Sequence, residues 1–224
     1  MLYKGKKLAA DLTFIQIYYE DEQRDSLYDF AMPYRNESIT HYFENAIIVN
    51  LVPQIQNELI SVCSWRLKQK RGDMFRLQDK RLSKEKILNT EFDIAVLTPR
   101  SPNHKMLVMA PLWHKDNWNV AFNELKKFIK VPREITTAIY ENHFIARKEI
   151  YHDYVNNCLR PAIDFMSDKD CFFLDAGYAK RKTAKEAQRY RDLTGRSDYP
   201  IAPFILERLF SIWIEGKGFK IVNL

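Results

Sequence analysis

The sequence predicts an α/β protein: a single domain, residues 1–224, with a mixed, mostly parallel central sheet flanked by helices. Three observations predict it. Segments rich in β-branched and aromatic residues alternate with segments of helical periodicity, the order that builds strand–helix units onto one sheet. No internal repeat and no Gly/Ser-rich linker divides the chain, and 224 residues suffice for one sizeable core. The composition, 46% hydrophobic with 12 Tyr, 14 Phe and 4 Trp against 6 Gly, excludes collagen-like, linker-like and disordered classes.

Taken in order, "LTFIQIYY" (12–19) reads as the first strand, being almost wholly β-branched and aromatic. "ENAIIVNLV" (44–52) and "ELISVCSW" (58–65) are strand candidates on the same ground. In "LSKEKILNT", Ser83 is a natural N-cap and Lys86 to Leu88 continue a helix; Phe92 then leads into "DIAVLTP" (93–99), a strand stopped by Pro99. "HKDNWNVAFNELKKFIK" (114–130) puts Trp118, Phe122, Leu125 and Ile129 at helical spacing and closes on Lys130-Val131-Pro132. "TAIYENHFIARKEIYHDYVNNCLRPAIDFM" starts strand-like and turns helical near Lys148, with Ile150, Tyr154, Cys158 and Ile163 on one face; Pro161 demands a kink or a helix restart. "YAKRKTAKEAQRYRDLTGR" (178–196) predicts a polar, strongly basic helix. "PFILERLFSIWIEGKG" (203–218) predicts an apolar helix ending on Gly216 and Gly218, and "FKIVNL" a final strand.

The formal charge of +6 favours anionic partners: phosphates, nucleic acid or a membrane surface. Cys63, Cys158 and Cys171 lie far apart without a CxxC pair, so a disulfide scaffold is not expected and a reducing cytoplasm is. No apolar run approaches the roughly 18 residues of a transmembrane helix, and the N-terminal stretch lacks the apolar segment of a signal peptide. Walker, GxGxxG, GxSxG and HExxH motifs are all missing.

Four constellations carry chemistry. In "ISVCSWRLKQKRGD" (60–73) a buried strand runs into a basic cluster, so Ser64, Trp65 and Arg66 stand where open α/β sheets hold ligands. Arg66 can clamp a diphosphate, with Lys68 or Lys70 adding charge; the alternative is a solvated loop with its Trp packed on the core. In "YENHFIA" (140–146) Asn142 and His143 sit between apolar neighbours, so they are either paired in the core or face a site. Glu207-Arg208 is an ion pair in an apolar helix: it is a structural bridge, or it places in a pocket a carboxylate of raised pKa suited to general-base work. Lys180, Arg181, Lys182, Lys185 and Arg189, with Tyr178 and Tyr190 nearby, form either a nucleic-acid contact or a solvated face.

Three of these pieces, in this order, resemble a known family. "LSKEKILNTEFDIAVLTP", "YENHFIARKEIYHDYVNNCLRPAIDFM" and "YPIAPFILERLFSIWIEGKGFKIVNL" are similar to glycosyltransferases of capsular-polysaccharide loci and phage genomes, over about residues 58–224. The resemblance implies a GT-A-like, Rossmann-like α/β domain that binds a nucleotide sugar as donor substrate. It places Gln16 and Tyr18 of the first strand near the nucleotide, Asn142 beside sugar and acceptor, Glu207 as the base or sugar-binding carboxylate, and Arg208 as its partner or a phosphate ligand. The acceptor it implies is a glycan or, for a basic phage-type protein, a modified nucleobase in DNA. Trp65, Trp113 and Trp118 are then available to line a base pocket.

One departure stands out. Most GT-A enzymes end the central strand in Asp-x-Asp, which holds a divalent metal; here the strand ends Cys63-Ser64-Trp65-Arg66. Arg66 with Lys68 or Lys70 is expected to neutralise the leaving diphosphate in the metal's place, and no metal ligand is named. The competing reading is a non-catalytic nucleic-acid- or partner-binding protein on the same scaffold.

Overall fold

Side chains of the first strand are buried continuously from Phe14 to Tyr18 and alternate between two layers around a sheet. Ile15 and Ile17 enter the larger hydrophobic cluster and Phe14 the smaller. The structure, a computed structural model, describes residues 11–37, 42–74, 82–99, 106–168 and 200–224, with 173, 188, 191, 192 and 195; for 72–74 and 113–116 it describes the backbone alone. The basic run Lys180, Arg181, Lys182, Lys185 and Arg189 lies outside the described residues.

The elements are β1 (Leu12–Tyr18), α1 (Asp21–Arg24), β2 (Met32–Arg35), α2 (Glu44–Leu51), β3 (Leu59–Ser64), α3 (Leu67–Met74), α4 (Lys84–Asn89), β4 (Ile94–Val96), α5 (Met106–Lys126), β5 (Phe144–Arg147), α6 (Lys148–Tyr154), a π-helical segment (Val155–Leu159), α7 (Arg160–Asp168), α8 (Ala202–Ile214) and β6 (Ile221–Asn223). The six strands form one sheet in the order β2-β1-β3-β5-β4-β6. Only β5 pairs antiparallel, to β3 and to β4, so the other five strands share a direction. The expected mixed, mostly parallel sheet is present. Helices α2, α5, α6, α7 and α8 bury Ile48, Trp118, Ile150, Met166 and Leu206 on one face; Leu67 of α3 and Ile87 of α4 cover the other. Phe210 anchors α8 by stacking on Phe144 of β5, centroids 3.7 Å apart. No helix among the described residues is long and apolar enough to cross a membrane.

Two sequence expectations need correction. The stretch 44–52 is helix α2, not a strand. Its short apolar run fits a buried strand or a buried helix equally, and Ile47, Ile48 and Val49 are buried as a helix packed on the sheet. Packing here overrides the β preference of Ile and Val. Helix α5 starts at Met106 rather than 114 and ends at Lys126. Pro111 reads as a breaker, yet the helix carries it at the loss of one backbone bond. Ile129 falls beyond the helix, where Lys127 N and Phe128 N bond to Glu124 O and Leu125 O in a tightening turn.

Pro161 behaves as its chemistry demands. The helix widens into the π segment, Arg160 N donates to Val155 O, and α7 restarts with Pro161 in its first turn, where no N–H is needed. Ser83 caps α4 by accepting from Lys86 N, as expected. After α8, Gly216 takes the left-handed φ of 75° that ends helices at low cost.

Candidate functional site

The chain leaves β1 for β2 on one side of the sheet and returns to β3 on the other, so the carboxyl ends of β1 and β3 flank the point where strand order reverses. In open α/β sheets this is where ligands bind. Tyr19 and Glu20 follow β1 there, and Trp65 and Arg66 follow β3, with Trp65 N bonded to Ile17 O at 2.8 Å. Ser64 Oγ accepts from Arg66 N at 3.3 Å and so shapes the turn into α3.

Lys70, one helical turn beyond Arg66, ion-pairs with Glu141 at 3.2 Å. The other Glu141 oxygen is 3.9 Å from His143 Nε2, and His143 Nδ1 is 3.4 Å from Thr98 Oγ1. Burial alone would raise the Glu141 carboxyl, but His143, Lys70 and Arg66 outweigh it and hold it below the usual range. Asn142 is buried and donates to Asn45 Oδ1 at 3.4 Å, tying this loop to the first turn of α2. That turn presents Glu44. Burial raises its carboxyl and Glu141 pushes it further up, while the Tyr19 side chain and Arg66 act to lower it.

Helix α8 adds Glu207 and Arg208. The Arg208 guanidinium lies between the rings of Trp118 and Tyr140, 5.2 and 5.0 Å from their centroids, and donates to Phe204 O and, at 3.3 Å, to Glu207. Glu207 is nonetheless pushed up to about 8: burial dominates, Arg208 and Lys70 lower it, and Glu141 and Glu44 raise it. Its side chain keeps 16% exposure, so it is largely but not wholly shut off from water.

The backbone is strained around these groups. Phe43, Glu141 and Asn142 hold positive φ of 49°, 56° and 55° without being glycine. Such outliers cost about 1–3 kcal/mol each and collect at functional sites.

The structure therefore gathers Arg66, Lys70, Asn142, His143, Glu207 and Arg208 at one edge, with Trp65 half-buried beside them. Other expected ligands take different places. Gln16 is fully buried, accepting from Tyr28 N at 2.7 Å and donating to Ser64 O at 3.4 Å, so it braces β1 against β3 rather than reaching a ligand. Tyr18 is buried, and its carbonyl accepts from Asn36 N. Lys68 turns to the Tyr28 ring, 5.9 Å away, which packs with Phe14 and Phe30 of the smaller cluster. Asn142 is at the gathered edge, but its amide is bonded to Asn45 on α2.

Sequence reasoning missed Glu44, Glu141 and Tyr19. Glu141 lay inside "YENHFIA", where only the Asn and His drew notice. Glu44 was hidden by the strand reading of its segment. Tyr19 adjoins the residue chosen, and the two-residue period puts alternate side chains of β1 on opposite faces.

The three carboxylates that meet here differ in how they are compensated. Glu141 is already compensated by Lys70 and His143, and Glu44 and Glu207 are held toward their protonated forms. Among the described residues no three His, Cys, Asp or Glu side chains are placed to share a metal ion.

Set against known proteins, the chain matches no family model, no curated protein and no solved structure.

Proposed function

We propose that this protein transfers a sugar from a nucleotide-sugar donor to a hydroxyl of a glycan or of a modified nucleobase in DNA, on a GT-A-like scaffold and without a metal. The observation that carries the reading is the gathering of Glu207 and its partner Arg208 with Glu141 and Lys70 at the edge where strand order reverses, with burial raising the Glu207 carboxyl. A general base is most effective with a pKa near working pH, and burial has brought Glu207 there.

In this mechanism Glu207 takes the proton of the acceptor hydroxyl as that oxygen attacks the anomeric carbon. The bond from that carbon to the diphosphate oxygen breaks, and the diphosphate departs with the electron pair. Arg66 and Lys70 meet the charge that develops on it. Lys70 keeps Glu141 while doing so, since an ammonium has three donors. Arg208, fixed between two rings, holds Glu207 in place. The strained Glu141–Asn142 turn sets Lys70 and, through Asn45, the start of α2.

The test is a thermal-shift screen with UDP-, GDP- and CMP-sugars, followed by a transfer assay with the stabilising donor. The expected result is stabilisation by one nucleotide class, and a Glu207→Gln protein that keeps the shift but loses transfer. Stabilisation by none of the donors would leave a binding module on the same scaffold.

A further inference from the structure

Outside that site, helix α5 borders a groove of about 570 Å³ lined by apolar side chains, two asparagines and three cations. Along α5 its wall is Leu107, Pro111, Trp118 and Phe122; beyond the helix Ile129 and Val131 continue it. At the far end stand Lys126, Lys130 and Arg133. Lys126 Nζ lies 5.1 Å over the Phe122 ring and bonds only the neutral Asn123 side chain. Neither Lys130 nor Arg133 has an ion-pair partner among the described residues, and no described residue lining the groove is a carboxylate. The nearby Glu124 is spent on Lys127, at 2.6 Å.

The solvent side of α5 extends the apolar end. Val108 and Leu112 are 58% and 69% exposed, and they share one helix face with Asn119, Asn123 and Lys126. From Val108 to Lys126 the helix covers about 27 Å at about 1.5 Å per residue. Hydrocarbon at one end of such a strip, and at the other cations with no ion-pair partner among the described residues, form a surface that water does not suit and an acidic peptide would only half fill. Its complement is a long molecule with an anionic head and an apolar tail.

We propose that this groove docks the protein on an anionic phospholipid surface, the lipid phosphate against Lys126, Lys130 and Arg133 and the hydrocarbon along Leu107, Pro111 and Phe122. Val108 and Leu112 enter the acyl boundary. Apolar insertion and basic attraction are the two signals that peripheral binding requires together. Trp118 lies on the wall of the groove while its ring also carries Arg208, so docking abuts the proposed catalytic edge without depending on its chemistry.

The experiment is co-sedimentation of the full chain with vesicles of phosphatidylcholine alone or with one-third phosphatidylglycerol. Binding is expected to the anionic vesicles only. Replacing Lys126, Lys130 and Arg133 together by Glu should weaken it roughly a hundredfold, since each basic group near an anionic surface adds a comparable increment. Val108→Asn with Leu112→Asn leaves the charge unchanged and should weaken it about tenfold. All five side chains are at the surface or groove rim, and circular dichroism confirms that the variants fold. Equal binding to both vesicle types, no binding, or indifference to the Asn pair would overturn the proposal. So would full competition by millimolar inorganic phosphate, which would make this a free-phosphate site. A dimer broken by Leu112→Asn, without vesicle binding, would instead give the surface to a second copy.

Discussion

Two arginine–carboxylate clusters close opposite ends of the same sheet, and they are built to different ends. At the amino edge Arg147 bridges Glu58 at 2.6 Å and Asp93 at 3.3 Å. Glu58 and Asp93 precede β3 and β4, and Arg147 closes the antiparallel β5 that runs between them. Backbone bonds from Lys148 N to Glu58 O and from Arg147 N to Asp93 O tighten the junction. All three side chains are between 29% and 44% exposed, so water shares their charges. At the carboxyl edge the Arg208 and Glu207 side chains are only 4% and 16% exposed, and three glutamates share one field with Arg66, Lys70 and Arg208, in which burial still raises Glu207. One cluster fastens strands where their direction reverses. The other keeps a carboxyl protonated at a cost that stability gives no reason to bear. Residue type does not distinguish a fastening from a reactive group; the degree of compensation does.

The comparison can be broken most sharply at Glu207. Glu207→Gln is expected to lower sugar transfer about 10²–10⁴-fold, the usual worth of a general base, read as kcat with the stabilising donor. The same change should raise the melting temperature in alkaline buffer. A carboxyl with a folded-state pKa of about 8 against 4.5 unfolded favours folding only while protonated; its penalty grows from pH 4.5 and is complete above 8. The variant's advantage, measured by calorimetry, should therefore be absent at pH 4 and largest at pH 9, about 2–4 °C per kcal/mol recovered. Arg66→Ala should cut turnover about a hundredfold with an unchanged melting temperature, since Arg66 is exposed. For the unmutated protein, kcat/KM should climb about tenfold per pH unit and level near pH 8. At the amino edge, Arg147→Ala should leave turnover untouched and cost about 1 kcal/mol in denaturant unfolding, the upper end for a solvent-screened pair.

The central strands were legible because they are apolar on both faces and punctuated; the exposed edge strand β2 was not. Leu59 to Ser64 is buried throughout, and Gly216 marks a boundary that the structure keeps, while the strand expected to run to Pro99 ends at Val96. Helix α2 was not, because Ile47, Ile48 and Val49 suit either conformation until the packing partner is known. Half of the site could be read from single residues out of keeping with their surroundings: Arg66 after an apolar strand, and Glu207-Arg208 in an apolar helix. Glu44 and Glu141 are out of keeping only in three dimensions, since nothing local says that residues 97 positions apart will share one field. Gln16 shows the converse. A polar residue in a strand invites a ligand, yet its amide was needed to join two backbones.

The paired left-handed residues Glu141 and Asn142 set the site at odds with durability under laboratory evolution. Glycine relieves the strain at position 141, whereas glutamate there serves only Lys70 and His143. A library screened for solubility alone should drift to Gly at 141, and one screened for product should keep Glu, so the two selections would pull one codon in opposite directions.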